Sequence, residues 1–405
     1  MKRTELLLVS IFLYLLPSQA AGCTISLNRD ITEPQPLVLT PGGGYGNSAF
    51  FLPSSGDTIS LAENQLVDIA CPNGNVLVNG GSLGSSTSQA RCTGGRFVIG
   101  GQNVPFTAIT CSVIPAHTAR FTGSTCLSNY RQIEIGFAVG SRFLRIMSIC
   151  FDQSQQNSLY SEFNLTRTIG GYQVGYPRPS WLQGSGFFSV SGVTVDTLYT
   201  RNRQRTTING LLGLSASSYQ YIAETSDLYL ARGHLTAKAD FLYGSQQRAT
   251  FYFVNAAPQW QTFNGQNWNN LEQNVRDFAS RQGLDLIVYT GTYGITTLPH
   301  ATTGQDTELF LYVSGSTRAI PVPRLFWKVV YNPATKAGVV FIGVNNPYVV
   351  NSSRDIICTN VCNQFNWLTW KASDVQLGYS YCCSVPDFRR TVTTFPNIEV
   401  TQLLR

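Results

Sequence analysis

The residues of this sequence that are best suited to chemistry are concentrated between positions 232 and 272. They are one arginine, one histidine, two amides and one carboxylate: Arg232, His234, Asn255, Asn264 and Glu272. A histidine can take a proton from water near neutral pH, and the planar guanidinium of an arginine can bind two phosphate oxygens. Amide and carboxylate oxygens suit a hard cation such as Mg²⁺. This inventory indicates metal-assisted cleavage of a phosphodiester.

The elements that carry these residues are predicted to follow the order strand, strand, helix. Residues 227–230 read as a strand that leads into Arg232, and the apolar run 249–254 reads as a second strand that ends at Asn255. Apolar residues then recur at helical spacing, and a glycine ends the helix: Trp268, Leu271, Val275, Phe278, Ala279 and Gly283. Asn264 falls at the predicted helix start. Eight residues later, after about 80° of net rotation, Glu272 can approach the same edge of the helix.

The order of these residues resembles the DNA/RNA non-specific endonucleases, the sugar-non-specific branch of the ββα-metal nucleases. The resemblance is carried by Arg-Gly-His at 232–234, Asn-x-x-Pro-Gln at 255–259, Asn264 and Trp-x-x-Leu-Glu at 268–272. Its core runs from about residue 229 to 276, with weaker similarity from roughly 133 to 348. The family signature begins Asp-Arg-Gly-His, whereas Ala231 stands at the first position here. The resemblance implies an α+β fold, a ββα-metal nuclease domain with a central antiparallel sheet.

The resemblance also implies a role for each residue. His234 would be the general base that activates a water, and Arg232 would stabilise charge on the transition state. Asn255 would orient the histidine or the phosphate. Asn264 would bind Mg²⁺ directly, with Mn²⁺ as the alternative ion, and Glu272 would hold the water ligands of that ion.

Four of these residues have a structural alternative. Arg232 could form an ion pair, and Asn255 could be a turn residue. Asn264 could be a helix N-cap. Glu272 could be a solvated residue on the surface of the helix.

A further candidate for substrate binding lies outside this segment. Three arginines occupy alternate positions: Arg201, Arg203 and Arg205. On an extended segment they would share one face and could line a nucleic-acid groove, and a solvated loop is the alternative. The two remaining histidines, His117 and His300, have no recognisable acidic or amide cluster nearby, so no role is assigned to them.

The N-terminus has the pattern of a secretory signal. Basic residues 2–3 precede an apolar run at 6–16 and a small-residue cleavage site at 18–20. The run is too short to span a bilayer, and a short membrane anchor is the alternative. No later segment reads as a transmembrane helix, so we expect a secreted protein without stable membrane association. Glycosylation sequons at Asn164 and Asn351 agree with that expectation.

All ten cysteines lie beyond the predicted signal: Cys23, Cys71, Cys92, Cys111, Cys126, Cys150, Cys358, Cys362, Cys382 and Cys383. An even count in an exported chain predicts disulfides, and the alternative for the last four is a zinc site. The adjacent Cys382 and Cys383 are expected to pair with different partners, for which Cys358 and Cys362 are candidates. The sequence leaves the connectivity open.

Three parts of the chain are predicted: a signal peptide (1–20), a small disulfide-bonded all-β module (21–118) and the endonuclease domain (119–405). In the module, strands are expected at 58–61, 65–69, 76–78 and 96–99. In the endonuclease domain, they are expected at 132–139, 143–151, 284–290, 309–313, 325–331 and 339–344.

The predicted function is that of a secreted, Mg²⁺-dependent hydrolase that cleaves DNA and RNA with little sequence preference. The net charge of +6 is carried mainly by arginine, which suits contact with the phosphate backbone, and phosphates carry no sequence information. A nuclease-like protein that binds nucleic acid without cleaving it is the rival, and Ala231 supports it. A third interpretation is a secreted interaction protein in which the N-terminal module is the active part.

Overall fold

The computed structural model describes residues 22–44 and 46–405, so the predicted signal peptide lies outside the described residues. The fold is α+β and its strands pair mainly antiparallel, as predicted. Within the described residues, no helix is both long and apolar enough to cross a membrane.

The N-terminal part consists of short strands. They are β1 (Cys23–Ser26), β2 (Leu37–Leu39), β3 (Thr58–Leu61), β4 (Leu66–Ala70), β5 (Val76–Val78), β6 (Gly81–Ser82), β7 (Thr87–Thr93), β8 (Arg96–Ile99), β9 (Gln102–Val104) and β10 (Ile109–Cys111). Among the described residues they form sheets in the orders β1-β3, β10-β5-β6 and β2-β4-β7-β8-β9. The strands expected at 58–61, 76–78 and 96–99 are confirmed, and the one expected at 65–69 is displaced by a single residue.

The remaining strands begin at Thr118. They are β11 (Thr118–Cys126), β12 (Tyr130–Val139), β13 (Arg142–Asp152), β14 (Asn157–Leu165), β15 (Leu230–His234), β16 (Ala256–Trp260), β17 (Leu286–Ile295), β18 (Thr297–Pro299), β19 (Asp306–Glu308), β20 (Phe310–Ser314), β21 (Thr317–Pro321), β22 (Pro323–Asn332), β23 (Ala337–Val344), β24 (Ser380–Cys383) and β25 (Gln402–Leu403). One large antiparallel sheet runs β11-β12-β13-β14-β17-β22-β23-β24, and β25 adds to β23 in parallel. Six of the eight strands predicted in this part are present with shifted ends. The other two, predicted at 227–230 and 249–254, belong to the candidate site and are described with it.

The central strands β22 and β23 are apolar along almost their whole length because both faces of the sheet are covered. Phe326, Val330 and Phe341 belong to the buried cluster on one face, whereas Trp327 and Ile342 belong to the cluster on the other. Neighbouring residues of a strand point to opposite faces, so a strand covered on both sides reads as a continuous apolar run.

The helices are short, with one exception. They are α1 (Val195–Leu198), α2 (Arg201–Leu211), α3 (Gly244–Arg248), α4 (Gln261–Phe263), α5 (Asn269–Gln282), α6 (Ser352–Asp355) and α7 (Val385–Arg389). A π-helical turn over Asn264–Trp268 joins α4 to α5, so the chain is helical from residue 261 to 282. Gly283 ends this helix in the left-handed conformation (φ 63°), as predicted.

The apolar face of α5 packs against the large sheet. Leu271, Val275 and Phe278 lie in the same buried cluster as Phe326 and Phe341 of the sheet. That cluster continues into the N-terminal strands, where Val67 and Phe97 are also buried members. The strand–strand–helix segment is therefore held on a rigid, fully packed support.

Five disulfides account for all ten cysteines: Cys23–Cys92, Cys71–Cys111, Cys126–Cys150, Cys358–Cys383 and Cys362–Cys382. The adjacent Cys382 and Cys383 have different partners, as expected, and the zinc alternative is wrong. The first two bridges connect residues of the N-terminal strands, and the last two hold the C-terminal segment against the sheet. A domain boundary near residue 118 stays a prediction.

Candidate active site

A two-stranded hairpin and the following helix build the site. In the hairpin of β15 and β16, Arg232 lies opposite Pro258 and His234 lies opposite Ala256. Helix α4 begins directly after Trp260. The expected order of strand, strand and helix is confirmed, although the first strand is Leu230–His234 instead of 227–230 and the second is Ala256–Trp260. The strand predicted at 249–254 is wrong. That apolar run begins at the C-cap of α3 and ends in a 3-10 turn (Phe253–Asn255), and its side chains are buried in the core.

Four of the predicted residues line one cavity of about 440 Å³: Arg232, His234, Asn264 and Glu272. The hairpin supplies Arg232 and His234, and the helical segment 261–282 supplies Asn264 and Glu272. Five further polar side chains line the same cavity, namely Arg178, Lys238, Gln261, Asn269 and Arg276. The structure thus brings the arginine, the histidine, the amide of Asn264 and the carboxylate of the sequence pattern to a single cavity.

His234 is 9% exposed and is enclosed by aromatic rings. The ring centroid of Trp181 lies 4.6 Å from its imidazole and that of Phe251 lies 4.9 Å away. Burial, reinforced by the positive charges of Arg178 and Lys238, lowers the pKa of His234 to about 3. The imidazole is therefore neutral at pH 7.

The hydroxyl of Thr250 lies beside the histidine. Its Oγ1 is 3.4 Å from Nε2 of His234, and the hydroxyl donates to the carbonyl oxygen of Gln247 at 2.8 Å. Since that bond uses the hydroxyl proton, Oγ1 faces Nε2 as an acceptor. This contact favours the tautomer that carries its proton on Nε2 and leaves Nδ1 free to accept a proton.

Arg232 lies between the cavity and a carboxylate outside it. Its Nη2 is 2.6 Å from Oδ1 of Asp196, and the two side chains are 29% and 60% exposed. The guanidinium also lies within 6 Å of the rings of Tyr199 and Phe253, at 5.4 and 5.8 Å. The ion pair named as the alternative for Arg232 is present, and the same side chain still lines the cavity.

Asn255 does not line the cavity and is fully buried. Its Oδ1 accepts from the backbone N–H of Thr236 at 3.0 Å, and its Nδ2 donates to the carbonyl oxygens of Thr236 and Thr250, both at 2.9 Å. A direct contact between this amide and a phosphate is therefore excluded. Because Thr236 follows His234 by two residues and Thr250 contacts its ring, Asn255 holds the segments on both sides of the imidazole.

The π-helical turn carries Asn264 within the helix rather than at its start, so the N-cap alternative for this residue is wrong. Its Nδ2 donates to Oε1 of Gln261 at 3.1 Å, which leaves the amide oxygen available to the cavity. The wider turn changes the rotation expected for a regular α-helix, yet Asn264 and Glu272 reach the same cavity.

A cluster of buried charges lies around Glu272. Asp240 accepts from Nη1 of Arg276 at 2.9 Å, with both side chains at most 7% exposed. Lys328, on the face of β22 that packs against α5, donates to Thr290 at 2.5 Å and carries a further charge toward this cluster. Enclosure by protein raises the pKa of Glu272 to about 7, and the positive charge of Lys328 opposes that rise.

The donor set of the cavity fits a hydrated hard cation. Asn264 and Glu272 provide amide and carboxylate oxygens, and Gln261 and Asn269 line the same space. Within the described residues, no group of three or more histidine, cysteine, aspartate or glutamate side chains is arranged to hold a metal. An ion bound here would consequently keep mostly water ligands, as Mg²⁺ commonly does.

The three arginines predicted to share a face of an extended segment instead begin helix α2. Arg201 donates to the carbonyl oxygens of Ala223 and Ser226, and Arg205 donates to that of Ile222. In an α-helix, residues two positions apart in sequence are separated by about 200° around the axis. Arg203 therefore points away from Arg201 and Arg205, and it is exposed. The shared-face interpretation is wrong, and none of the three lines the cavity.

Several residues of the site had no signal in the sequence pattern. Arg178 and Lys238 bring positive charge to the cavity from outside the family motifs, and Asp196 and Trp181 contact the two central residues across the fold. Only Lys238, four residues after His234, is close enough in sequence to have been considered. The others come together through long-range packing.

Comparison with known proteins identifies the family of the chain. A sequence model of DNA/RNA non-specific endonucleases matches residues 131–388, and the chain belongs to that family. The salivary endonuclease of Lutzomyia longipalpis is 27% identical over 372 residues, which are 91% of this chain and 82% of that one. Salivary protein Tsal2A of Glossina morsitans morsitans is 24% identical over 394 residues, 95% of this chain and 94% of that one.

A solved structure is also similar in part. The crystal structure of the EndoG/EndoGI complex contains a chain that matches 65% of this protein, and 89% of its own length is covered. The sequence identity is 18% and the TM-score is 0.37. A similarity of this size carries no argument about the site.

Proposed function

We propose that this protein is a secreted, metal-dependent endonuclease that hydrolyses the phosphodiester bonds of DNA and RNA with little sequence specificity. The observation that carries the proposal is the single cavity lined by Arg232, His234, Asn264 and Glu272. Family membership and the salivary relatives support nuclease activity. The five disulfides support an extracellular location.

His234 acts as the general base in this proposal. Its imidazole is neutral because it is buried, and the contact with Thr250 favours the tautomer with its proton on Nε2. The other ring nitrogen can then accept a proton from a water that attacks phosphorus. Asn255 acts as a positioning residue, since its amide fixes Thr236 and Thr250 on either side of the histidine.

The positive side chains around the cavity bind the phosphate. Arg232, Arg178 and Lys238 face it from three different segments, and together they can stabilise the additional negative charge of the transition state. Asn264 would hold Mg²⁺ or Mn²⁺ directly, and Glu272 would hold its water ligands. The bound ion would stabilise charge on the leaving oxygen.

The rival interpretation, binding without cleavage, depends on Ala231. This residue lies opposite Gln259 in the hairpin and is not among the residues that line the cavity. Neighbouring residues of a strand point to opposite faces, so position 231 faces away from Arg232, which lines the cavity. This observation favours the active enzyme.

The test is incubation of the mature protein with supercoiled plasmid and with long RNA, each with Mg²⁺ or with excess chelator. Both nucleic acids should be degraded to products without a dominant sequence at their ends, and chelation should abolish cleavage. Binding of both substrates without any cleavage in Mg²⁺ or Mn²⁺ would establish the rival. Undiminished cleavage in excess chelator would refute the assignment of Asn264 and Glu272.

A further inference from the structure

A second cavity of about 460 Å³ adjoins the first and shares Arg232 with it. Its other walls come from the 180–183 loop, the start of α1 and the end of the 251–253 segment. Six residues line it besides Arg232: Ser180, Trp181, Gln183, Thr194, Asp196 and Phe253. Asp196, the ion-pair partner of Arg232, lines only the second of the two cavities.

The wall of this second cavity is aromatic. The Trp181 ring is partly exposed and lies 5.6 Å from the ring of Phe253 at an interplanar angle of 30°. Hydrogen bonds of Leu182 with the backbone of Phe251 (2.9 Å) and Phe253 (3.0 Å) fix the backbone next to the indole. A flat ring held in one orientation is a suitable platform for another flat ring.

The rim of the cavity is polar and is only partly occupied by contacts within the protein. Oε1 of Gln183 accepts from the backbone N–H of Val195 at 3.0 Å, which orients its amide nitrogen away from that bond. The carboxylate of Asp196 is 60% exposed although it pairs with Arg232. An amide donor and a carboxylate acceptor beside an aromatic face match the polar edge of a nucleobase.

We propose that this cavity is a nucleobase subsite, which binds the base adjacent to the phosphate that is cleaved. The inference rests on the proposed nuclease function. Arg232 connects the two cavities, so a phosphate in the first places the neighbouring nucleoside beside the second. Stacking on Trp181 accepts any base, because every base has a π face, and it therefore adds affinity without adding sequence specificity.

The test uses a single-stranded oligonucleotide in which one phosphodiester is cleavable and all other linkages are methylphosphonates. Versions carrying an abasic residue on the 5′ side or the 3′ side of the cleavable linkage are compared by kcat/KM. The native enzyme should lose about 5- to 150-fold on one of the two abasic substrates, the range that corresponds to stacking of one base. Trp181→Ala should reduce this abasic penalty to about 2-fold or less, whereas Trp181→Phe should retain most of it.

The control variant is Tyr219→Ala, which removes an aromatic residue that is 50% exposed and lines neither cavity. It should keep the full abasic penalty. Because Trp181 also touches His234, a change in activity alone would not isolate stacking. Binding of the same substrates is therefore measured at equilibrium for two inactive proteins, the His234→Ala variant and the His234→Ala, Trp181→Ala double variant. The abasic penalty on affinity should disappear only in the double variant.

The subsite is refuted if the native enzyme cleaves the intact and both abasic substrates equally well. It is also refuted if Trp181→Ala keeps the penalty in both the kinetic and the binding experiment. Failure of the nuclease function would look different, since the native enzyme would then cleave none of the substrates, including the intact one.

Discussion

The cavity wall and helix α2 are both rich in polar side chains, yet they use them in opposite ways. At the cavity, Arg232, His234, Asn264 and Glu272 come from two segments and face a common space. In α2, Arg201 and Arg205 turn back onto the 219–229 segment, where they stack on Tyr229 and Tyr219 and bond to backbone carbonyls. The first region directs its polar side chains into an open cavity, and the second uses its arginines to hold its own loop.

The difference shows that the spacing of charged residues does not predict their function until the backbone conformation is known. Alternate positions share a face on a strand, whereas on a helix they lie on opposite sides. In the 232–272 segment the interpretation depended on the types and order of residues as well as on spacing. The grouping of these residues therefore did not depend on the strand that was wrongly predicted at 249–254.

A large effect on the chemical step is expected at His234, the proposed base. His234→Ala should reduce cleavage roughly 10²- to 10⁴-fold, because general-base catalysis is lost, while binding of nucleic acid changes little. Initial rates on plasmid and equilibrium binding measure the two quantities. His300→Ala is the matched control, since His300 is not among the residues lining the cavity, and it should cleave at the native rate. A His234→Ala variant with more than about a tenth of native activity would refute the assignment.

The buried ion pair beside the cavity should contribute strongly to local stability. Asp240→Asn removes the carboxylate that is hydrogen-bonded to the buried Arg276 guanidinium and leaves only Glu272 nearby to balance its charge, which should cost up to about 3–5 kcal/mol of the free energy of unfolding. Urea unfolding with the disulfides intact measures the free energy of unfolding of the native protein and the variant. The partly exposed pair Arg120–Glu134 supplies the control, and Glu134→Gln should cost no more than about 1 kcal/mol. Equal losses in the two variants would show that the charges around Glu272 are not a structural support of the cavity.

The two proposed metal residues should differ from each other. Asn264→Ala removes a direct ligand and should mimic chelation, whereas Glu272→Gln removes a partner of the water ligands and should raise the Mg²⁺ concentration for half-maximal cleavage about 10- to 100-fold. Mg²⁺ titrations of activity at saturating substrate separate the two. If Glu272→Gln proved the more damaging change, the assignment of the direct ligand would have to be reversed.

The smallest effects are expected in α2. Arg205→Gln should cost about 1.5–3 kcal/mol of stability, because a buried charged donor to Ile222 is lost. Arg203→Gln should not change stability measurably, since its side chain is exposed, nor the salt dependence of nucleic-acid binding, since it does not line the cavity. If Arg203→Gln flattened the salt dependence of binding, this result would instead show that Arg203 contacts the phosphate backbone.

The sequence by itself determined the fold class, most strands of the large sheet and the helix that ends at Gly283. These features follow from local periodicity and from the backbone freedom of one glycine, which neighbouring residues reveal. The order of Arg232, His234, Asn264 and Glu272 also singled out four residues that line one cavity. Their roles stay predictions.

Only the tertiary structure decided how the site is completed. Trp181 and Asp196 reach His234 and Arg232 from distant positions, and Asn255 proved to be a buried support whose amide is used entirely by backbone groups. The apolar run at 249–254 is as compatible with a strand as with the buried turns it forms. Such outcomes depend on contacts between residues far apart in the chain, and a pattern read along one segment contains no information about them.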